Sequence, residues 1–501
     1  MLLHPFIQRF FFLFACLSAA GALNAQQDCP FMRVSVGTDG WVACDNATCR
    51  IRVCNEGSQA AANARVEVVL PAALGFISSS IPSFQINNRV VFNLGSFAAG
   101  NCLDFWLTVS VDCDLTPGEA VCLLVNATPR MCPAAWPGWD GSDLVVHGAC
   151  FAPDSMSFTV RNQGLNPMSV ATNYIITEDH LIKAQAPVPV IDPAVIDSVV
   201  FSVYNPTGKT YTFQTFQTPG HPFPQPISVS VEGCGGNPGS IGYLLQYPQY
   251  NGDVHSDTYC DVVSEGIEGI DKAGFPLGYN AEHWISRSTE LNYRIRFQNT
   301  GAVTTQTVTL VDTLSDLLDL STFRAGAASH LFTYSIQNHV LTVVFPSAQL
   351  PPASVNEPAS RGFFSFHIGV SPDAPTGSLI ENTARVLLSN QPPVQTDTTL
   401  HRVGENFITA AVINLPDSNR LSVQIRPNPM GESARFVFSG TDADGPVLLE
   451  LFDSAGQLVR TIQTGTGRLV LERGNLEAGF YFFRCRSGSG SVAGGKLVVG
   501  P

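Results

Sequence analysis

Three short segments of this 501-residue chain share one pattern, which restricts the fold more than any other feature of the sequence. They read IRVCNEG at 51–57, FTVRNQG at 158–164 and IRFQNTG at 295–301. Apolar and polar residues alternate in each segment, as expected for a strand with one buried face. Each segment ends in Asn-x-Gly, two residue types that tolerate the positive φ of tight turns, so we expect Gly301 at positive φ. The copies lie a domain length apart and therefore predict repeated β domains.

The first and third copies agree further along the chain. The segments AANARVEVVLP and TTQTVTLVDTL correspond, and both read as a second strand. Later, Gly118 and Asn126 correspond to Gly377 and Asn382, within two blocks that read as strand, Pro/Gly turn and strand. Short strands with turn signals about every 8–12 residues indicate a Greek-key sandwich.

The sequence therefore predicts an all-β fold of tandem Ig-like, Greek-key β-sandwiches, followed by a small C-terminal β-sandwich. The middle sandwich rests on a single copy of the pattern. The predicted division is a signal peptide at 1–25, a Cys-rich sandwich at 26–147, a middle sandwich at 148–262, a third sandwich at 263–404, a linker at 405–420 and a closing domain at 421–501.

The N-terminus reads as a secretory signal. Arg9 precedes the apolar run FFFLFACLSAAGALNA, which ends in small residues, so we expect cleavage after Ala25, with Ala22 as the alternative. Lipidation at Cys16 fits less well because the bulky Phe14 occupies the lipoprotein motif. No later segment offers about 18 unbroken apolar residues, so we do not expect the mature chain to span a membrane.

Thirteen cysteines fit an exported chain. Nine of them lie between Cys29 and Cys150, and disulfides are the usual state of cysteines in oxidising compartments. Because nine is odd, at least one should be free or pair outside this group. A metal site is disfavoured because Cys44, Cys49 and Cys54 are five residues apart and no His pair accompanies them.

The third sandwich resembles a β-sandwich module of unknown function that is common in secreted Bacteroidetes proteins and is akin to the conserved-repeat domains of bacterial surface proteins. The residues that carry the resemblance are LNYRIRFQNTG, DTLSDLLDLSTFRAGAASH, NEPASRGFFSF and ENTARVLLSNQPPVQTDTTLH, within 267–401. Of a Tyr-Asp-Pro-Asn-Asp-Lys-like run upstream, only Asp271 and Lys272 are present. The resemblance implies a sandwich and supplies no catalytic residues.

The closing domain resembles the C-terminal sorting domain (type A) of the type IX secretion system. The segments that carry this resemblance are RPNPMGESARFVF, VLLELFDSAGQLVRT, LEAGFYFFRCRSGSG and AGGKLVVG. It implies export across the outer membrane, with the secretion machinery as partner. The residues that match the family pattern are Pro427, Asn428, Pro429, Gly456, Gly479 and Lys496.

No sequence motif for catalysis, cofactor binding or metal binding is present. Asp253, His255 and Asp257 in NGDVHSD could hold a divalent cation, but we interpret the segment as a solvated loop. Trp136 and Trp139 in AAWPGWDGSD are candidate contacts for a sugar or a protein partner. Alternatively, one of them fills the boundary between the first two sandwiches. A net charge of −14 argues against nucleic acid as a partner.

Two functions are consistent with these features. The favoured one is a non-catalytic protein, extracellular or on the outer cell surface, which travels through the periplasm and whose sandwiches act as adhesin-like or structural modules. The alternative is a secreted hydrolase or glycan-binding protein with its site in 130–262. The middle sandwich at 148–262 is short for a hydrolase and reads as strands throughout, which favours the first function.

Overall fold

The computed structural model describes residues 29–500 with several gaps. The signal peptide and almost the whole linker lie outside the described residues. The gaps are 131–137, 153–154, 180, 197, 205–208, 224, 233, 235–242, 250–252, 267–268, 390, 406, 408–420, 441–444, 454–456, 466 and 489–491.

The first sandwich packs a four-stranded sheet against a six-stranded sheet. Their strand orders are β1-β3-β8-β5 and β2-β17-β9-β4-β7-β6. Alternating apolar residues from both sheets form its core, as in the burial pattern of Asn46–Asn55. The strands are β1 (Met32–Gly37), β2 (Trp41–Val42), β3 (Asn46–Asn55), β4 (Ala61–Val69), β5 (Leu74–Ser79), β6 (Phe84–Ile86), β7 (Arg89–Phe97), β8 (Cys102–Val111), β9 (Ala120–Thr128) and β17 (Ser256–Ser264).

The third sandwich repeats this strand order, with the strands that correspond to β9 and β17 each divided into two. Its sheets are ordered β18-β20-β25-β22, β19-β29-β26 and β23-β24-β21-β27-β28. The strands are β18 (Asp271–Phe275), β19 (Trp284–Ser286), β20 (Glu290–Gln298), β21 (Val308–Thr313), β22 (Leu318–Ala328), β23 (Thr333–Gln337), β24 (Val340–Phe345), β25 (Arg361–Val370), β26 (Leu379–Asn382), β27 (Ala384–Leu388), β28 (Val394–Gln395) and β29 (Thr399–Gly404).

The predicted correspondence of Gly118 with Gly377 holds in three dimensions. Both glycines have positive φ, 96° and 89° respectively. The N–H of Gly118 donates to the carbonyl of Val263 at 2.8 Å, and that of Gly377 donates to Val403 at 2.7 Å. The same turn therefore meets the same last strand, β17 or β29, in the two sandwiches.

The middle sandwich is inserted into the first one. Its sheets are ordered β10-β11-β14 and β13-β12-β15-β16, and it has its own core. The strands are β10 (Leu144–Ala152), β11 (Ser155–Asn162), β12 (Thr172–Glu178), β13 (Leu181–Val188), β14 (Ser198–Tyr204), β15 (Tyr211–Phe216) and β16 (Pro226–Val231). Elsewhere in the described part of the chain, short 3₁₀ helices cover Leu244–Gln246 and Pro358–Ser360.

This arrangement departs from the predicted division at 147/148 and 262/263. Strand β10 begins before residue 148, and β17, predicted in the middle sandwich, pairs with β9 and β2 of the first. Tyr259 and Val263 of β17 belong to the first core. The alternation of DTYCDVVS identifies a strand but carries no information about its partner, because every sandwich strand has the same period.

The closing sandwich forms its own core from residues between Leu421 and Val499. Its sheets are ordered β30-β31-β34 and β33-β32-β35-β36. The strands are β30 (Ser422–Arg426), β31 (Ser433–Ser439), β32 (Val447–Phe452), β33 (Leu458–Thr464), β34 (Arg468–Glu472), β35 (Gly479–Ser487) and β36 (Val492–Val499). The predicted all-β fold of sandwiches is confirmed.

The Asn of each repeated segment joins the two sheets of its sandwich. Asn55, Asn162 and Asn299 are at most 1% exposed, and we call them the asparagine staples. Each side-chain oxygen accepts a hydrogen bond from the N–H of the glycine two residues on, at 3.0–3.1 Å. Each side-chain nitrogen donates to the carbonyl four residues on and to a carbonyl of the facing layer, which is that of Phe97, Ile191 or Leu350.

The expectation of a positive φ at Gly301 is wrong, since Gly301 is not among the glycines with that conformation. Close approach explains the glycine better. A Cβ at Gly57 would lie 2.1 Å from the carbonyl oxygen of Cys29, and a Cβ at Gly164 would lie 2.3 Å from that of Gly141. At Gly301 the nearest atom is Nε2 of the Gln391 side chain, at 2.8 Å.

Disulfides lie within each of the first two sandwiches, and another links the two strands of the first sandwich that flank the insertion. Among the described residues, the bridges Cys44–Cys113 and Cys54–Cys102 lie within the first sandwich. Cys122–Cys260 ties β9 to β17 on either side of the inserted sandwich, and Cys150–Cys234 lies within that sandwich. Cys49 is buried and free. The expectation of a free or externally paired cysteine in this group is therefore confirmed on both counts.

We predict that Asn299→Ala lowers the free energy of unfolding of the third sandwich by about 2–4 kcal/mol, because it leaves the carbonyls of Val303 and Leu350 and the N–H of Gly301 without their partner. Urea unfolding of the secreted protein measures the effect. Thr300→Ala, in the exposed centre of the same turn, is the matched control and should change stability by less than about 0.5 kcal/mol. Equal effects of the two substitutions would contradict the staple.

We also predict that Gly57→Ala destabilises its sandwich by about 1–3 kcal/mol more than Gly301→Ala does. At Gly57 the new methyl group meets backbone atoms, whereas at Gly301 it meets the end of a flexible side chain. Melting temperatures of the two variants provide the comparison. A larger loss for Gly301→Ala would show that close approach is not the reason for the glycine.

Candidate functional site

The predicted sorting motif surrounds the last strand of the chain. The Asn428 side chain accepts a hydrogen bond from the N–H of Val498 at 2.8 Å and donates to the carbonyl of Lys496 at 3.0 Å. The N–H of Met430 then donates to the Val498 carbonyl at 2.7 Å. Both peptide bonds that precede Pro427 and Pro429 are cis. The Pro-Asn-Pro corner is thus attached to β36 by side-chain and main-chain contacts.

Lys496 and Gly479 lie on the paired strands β36 and β35. The Lys496 ammonium lies 3.7 Å from the centroid of the half-exposed Phe480 ring, which is a cation–π contact. Gly479 pairs with Val499 at the start of β35. Gly456 lies outside the described residues. Asn428 and Lys496 also line an open cavity of about 310 Å³.

The second predicted site, the tryptophan loop, is only partly described, because Trp136 lies outside the described residues. Trp139 is half-buried. Its indole N–H donates to the Ser142 carbonyl at 2.8 Å, and its ring meets His221 edge-on at 5.1 Å. These contacts position Trp139 within the middle sandwich and leave part of its surface accessible.

Beneath Trp139, buried charges join the two chain crossings between the first and middle sandwiches. Arg130 forms ion pairs with Asp253 and, at 3.4 Å, with Asp143. The His221 ring lies 3.6 Å from Asp143. We call this cluster of Arg130, Asp143, His221 and Asp253 the neck. It fixes the end of β9, the start of β10 and the approach to β17 at one point.

The interpretation of the NGDVHSD segment as a solvated loop is wrong for the part that the structure describes. Asp253 is 3% exposed and His255 is fully buried. The His255 ring contacts the Met32 carbonyl. Asp257 accepts a hydrogen bond from the N–H of Val36 at 2.7 Å. Each group therefore serves a structural contact between strands.

A second set of charges, largely but not fully buried, lies between the first and third sandwiches. We call Ser35, Asp257, Glu290, Arg324 and His367 the seam. His367 lies 3.6 Å from Asp257 and 3.3 Å from Glu290, while the Ser35 hydroxyl is 3.3 Å from its Nε2 atom. Arg324 forms an ion pair with Glu290. Charges from both sandwiches are thus neutralised against each other.

The electrostatic environment stabilises the charged forms in the seam. Burial opposes ionisation of His367, but Asp257 and Glu290 outweigh it and raise its pKa to about 9. Burial likewise opposes ionisation of Glu290, but Arg324 and His367 outweigh it and lower its pKa to about 2. At neutral pH the imidazolium therefore lies between two carboxylates.

The seam continues along the same face. Arg294 forms an ion pair with Asp261 at 2.7 Å, and Arg296 donates to the Asp39 carbonyl at 2.8 Å. Sequence reasoning missed these groups. The only available signal was charged residues alternating with apolar ones on β20, and that pattern is equally typical of a solvent-exposed face.

A comparison with protein families matches part of the chain to a known family model. A family model described as a domain of unknown function (DUF7619) matches residues 277–402. This match falls on the third sandwich and supports the predicted module of unknown function there. It covers about a quarter of the chain, so membership of the whole chain is not established. No curated protein matches.

Several solved structures are similar at low scores. The collagen-binding domain of a Staphylococcus aureus adhesin is 12% identical, with 28% of this chain and 98% of that chain covered and a TM-score of 0.18. BcpA, the major pilin subunit of Bacillus cereus, is 14% identical, with 67% and 95% covered and a TM-score of 0.21. Collagen adhesin (CNA) from S. aureus is 9% identical, with 75% and 93% covered and a TM-score of 0.19. At these values the likeness carries no argument about function.

Within the part of the chain that the structure describes, no helix has the length and apolar character needed to cross a membrane. Among the same residues, no three His, Cys, Asp or Glu side chains are grouped as metal ligands would be.

We predict that the seam weakens as the pH rises from about 6.5 through about 9. The pKa of His367 is higher in the folded state than in the unfolded state, so its contribution is complete below about pH 6.5 and is lost as the folded form deprotonates. That contribution is at most about 3 kcal/mol. The measurement is the melting temperature against pH for wild type and His367→Gln.

The two curves should converge above about pH 9, because both proteins then lack the imidazolium. His330→Gln is the control. Burial lowers the pKa of His330, so its titration lies outside this window. A constant difference between wild type and His367→Gln across the whole range would contradict the proposed ion pairs.

Proposed function

We propose that this chain is a non-catalytic extracellular or outer-surface protein, whose sandwiches form a stiff adhesin-like or structural spacer exported by its closing domain. One observation carries the proposal. The largely buried acid, base and imidazole groups of the neck and the seam are paired with each other across sandwich boundaries. These groups therefore hold modules together.

Stiffness follows from how the first three sandwiches are connected. The middle sandwich leaves and rejoins the first through two strands, which the neck and the Cys122–Cys260 bridge hold side by side. The third sandwich packs through a charged face that includes the Arg52 guanidinium, 5.1 Å from the centroid of the Phe332 ring. A single flexible linker between domains would permit relative motion, whereas several buried contacts oppose it.

The closing domain is the part of the chain that we propose directs export. It has its own core, and it follows the linker of 405–420. Asn428 and Lys496 of the sorting motif meet at β36. The resemblance to type IX sorting domains supplies the role, with the secretion machinery as partner and a route through the periplasm. Once outside, the spacer would present a surface to a glycan or protein.

The alternative, a hydrolase or glycan-binding protein with its site in 130–262, receives less support. Asp143 and His221 are the best acid–base pair in the described part of that region. Both are buried, and Asp143 accepts hydrogen bonds from Gln163 and Gln217 in addition to its contact with Arg130. Trp139 keeps some exposed surface, so a sugar contact there is compatible with the spacer function.

We predict that deletion of 421–501 leaves the other sandwiches folded but stops export at the periplasm. The closing core contains no described residue from before Leu421, so its removal exposes no other core. The signal peptide still directs the shortened chain across the inner membrane. Cell fractionation in a bacterium that has a type IX system, with and without the deletion, measures the outcome.

A fusion of 405–501 to a periplasmic reporter tests whether this segment is sufficient for export. Asn428→Ala in the full chain tests whether the Pro-Asn-Pro corner is needed for export. Loss of the two Asn428 hydrogen bonds should lower the secreted fraction of the full chain. Thr461→Ala, a substitution on strand β33 within the same sandwich, provides the control. Equal amounts of full-length and shortened protein outside the cell would contradict the sorting role.

A further inference from the structure

The core of the third sandwich contains a lysine–aspartate pair that is completely removed from water. Lys272 lies on β18 and Asp312 on β21, which belong to facing layers. Both side chains are 0% exposed, and the Lys272 ammonium contacts the Asp312 carboxylate. Burying two charges is expensive unless further hydrogen bonds satisfy them. Oδ1 of Asp312 has no hydrogen-bond partner.

A third buried polar group, Asn382 on β26, lies beside this pair. It is 1% exposed, and neither its amide nitrogen nor its amide oxygen completes a hydrogen bond of ordinary geometry. It is nevertheless close enough to Asp312 to lower the pKa of that carboxyl. A buried carboxamide whose contacts, here with Asp312 and Tyr293, fall short of good hydrogen-bond geometry is costly and calls for an explanation beyond packing.

Burial brings the pKa values of Lys272 and Asp312 closer together. The Lys272 nitrogen lies 4.9 Å from the centroid of the Tyr293 ring and 5.7 Å from that of Phe366. Burial lowers the pKa of Lys272 to about 8 and raises the pKa of Asp312. Transfer of one proton from the ammonium to the carboxylate therefore produces a nucleophilic amine beside a carboxylic acid.

We propose that Lys272 and Asn382 become joined by an isopeptide bond in the folded chain, with Asp312 as the group that transfers the proton. The three side chains converge from three strands in a dry core, which holds the reactants together and excludes water. The carboxamide is the electrophile because the neighbouring carboxyl is needed as the acid and, once ionised, resists attack by an amine.

The reaction balances without any co-reactant. The neutral Lys272 nitrogen attacks the side-chain carbonyl carbon of Asn382 and forms a C–N bond. The protonated Asp312 gives its proton to the departing amide nitrogen, and the original C–N bond of the carboxamide breaks. Asp312 then removes the remaining surplus proton from the new amide nitrogen. The products are a secondary amide and one ammonia, which is protonated on release.

Comparison of the two matching sandwiches supports a specific role for this cluster. Lys272 pairs with Ile295 on the neighbouring strand, and the corresponding position opposite Ile51 in the first sandwich is Val36. The position that corresponds to Asp312, thirteen residues after the staple, is Val68. The first sandwich thus has apolar residues where the third has the reactive pair.

The two sandwiches also differ in their cysteines. The first contains the bridges Cys44–Cys113 and Cys54–Cys102, whereas 263–404 contains no cysteine at all. An isopeptide bond between β18 and β26 would give the third sandwich the covalent cross-link that it otherwise lacks. Tension applied along the chain would then bypass the strands between these two positions.

Mass spectrometry of the secreted wild-type protein, after reduction of its disulfides, tests the proposal. We expect a mass lower by one ammonia than the sequence requires. Tryptic digestion should leave the bond after Lys272 uncut and yield a branched peptide that joins the Lys272 and Asn382 segments. Recovery of separate linear peptides with Lys272 unmodified and Asn382 intact would overturn the proposal. Loss of one water, with a Lys272–Asp312 link, would overturn the assignment to Asn382.

Substitutions complete the test. Asp312→Ala and Lys272→Met should each restore the missing ammonia and yield linear peptides, whereas Lys209→Ala at an exposed ion pair should leave the branched peptide unchanged. A branched peptide in the Asp312→Ala protein would overturn the role of Asp312. The wild-type result decides on the bond itself, even if a substituted protein fails to fold.

Discussion

The first three sandwiches each depend on one buried side chain, the asparagine staple. A sandwich must close at its ends, where strands stop and their backbone groups lose their ladder partners. The staple solves this with one carboxamide, which bonds its own turn and a carbonyl of the facing layer. Asparagine suits the position because its side chain offers two donors and one acceptor oxygen. Aspartate has no side-chain N–H to donate.

Insertion of the middle sandwich creates a second constraint. The last strand of the first sandwich, β17, must pair with β9 although more than a hundred residues, most of them in the middle sandwich, separate the two strands. Closing so long a loop costs conformational entropy. Two devices oppose that cost at the same place. The neck neutralises Arg130 with carboxylates from both sides of the insertion, and Cys122–Cys260 fixes β17 to β9. The middle sandwich is therefore attached to the first at the end of β9 and at the start of β17.

Buried charges serve different purposes in different places. In the seam, His367 between two carboxylates joins modules whose surfaces would otherwise be solvated, and each charge has a partner of opposite sign. In the third core, Lys272 and Asp312 lie inside a single module, where apolar residues would pack at lower cost, as they do at Val36 and Val68. The first arrangement is explained by assembly. The second is explained by the proposed isopeptide bond, whose formation needs an amine and a carboxyl group side by side.

The sequence by itself determined the all-β class, the threefold Asn-x-Gly pattern, the match between Gly118 and Gly377, and the separate closing sandwich. These features are local, since alternation, turn residues and linker composition are written in neighbouring positions. The tertiary structure alone decided that β17 belongs to the first sandwich, that Gly57 serves close approach, and that His255 is buried. It alone brought Lys272, Asp312 and Asn382 together. These outcomes depend on which strand lies beside which, and strands with the same period of two are interchangeable until packing and register select their partners.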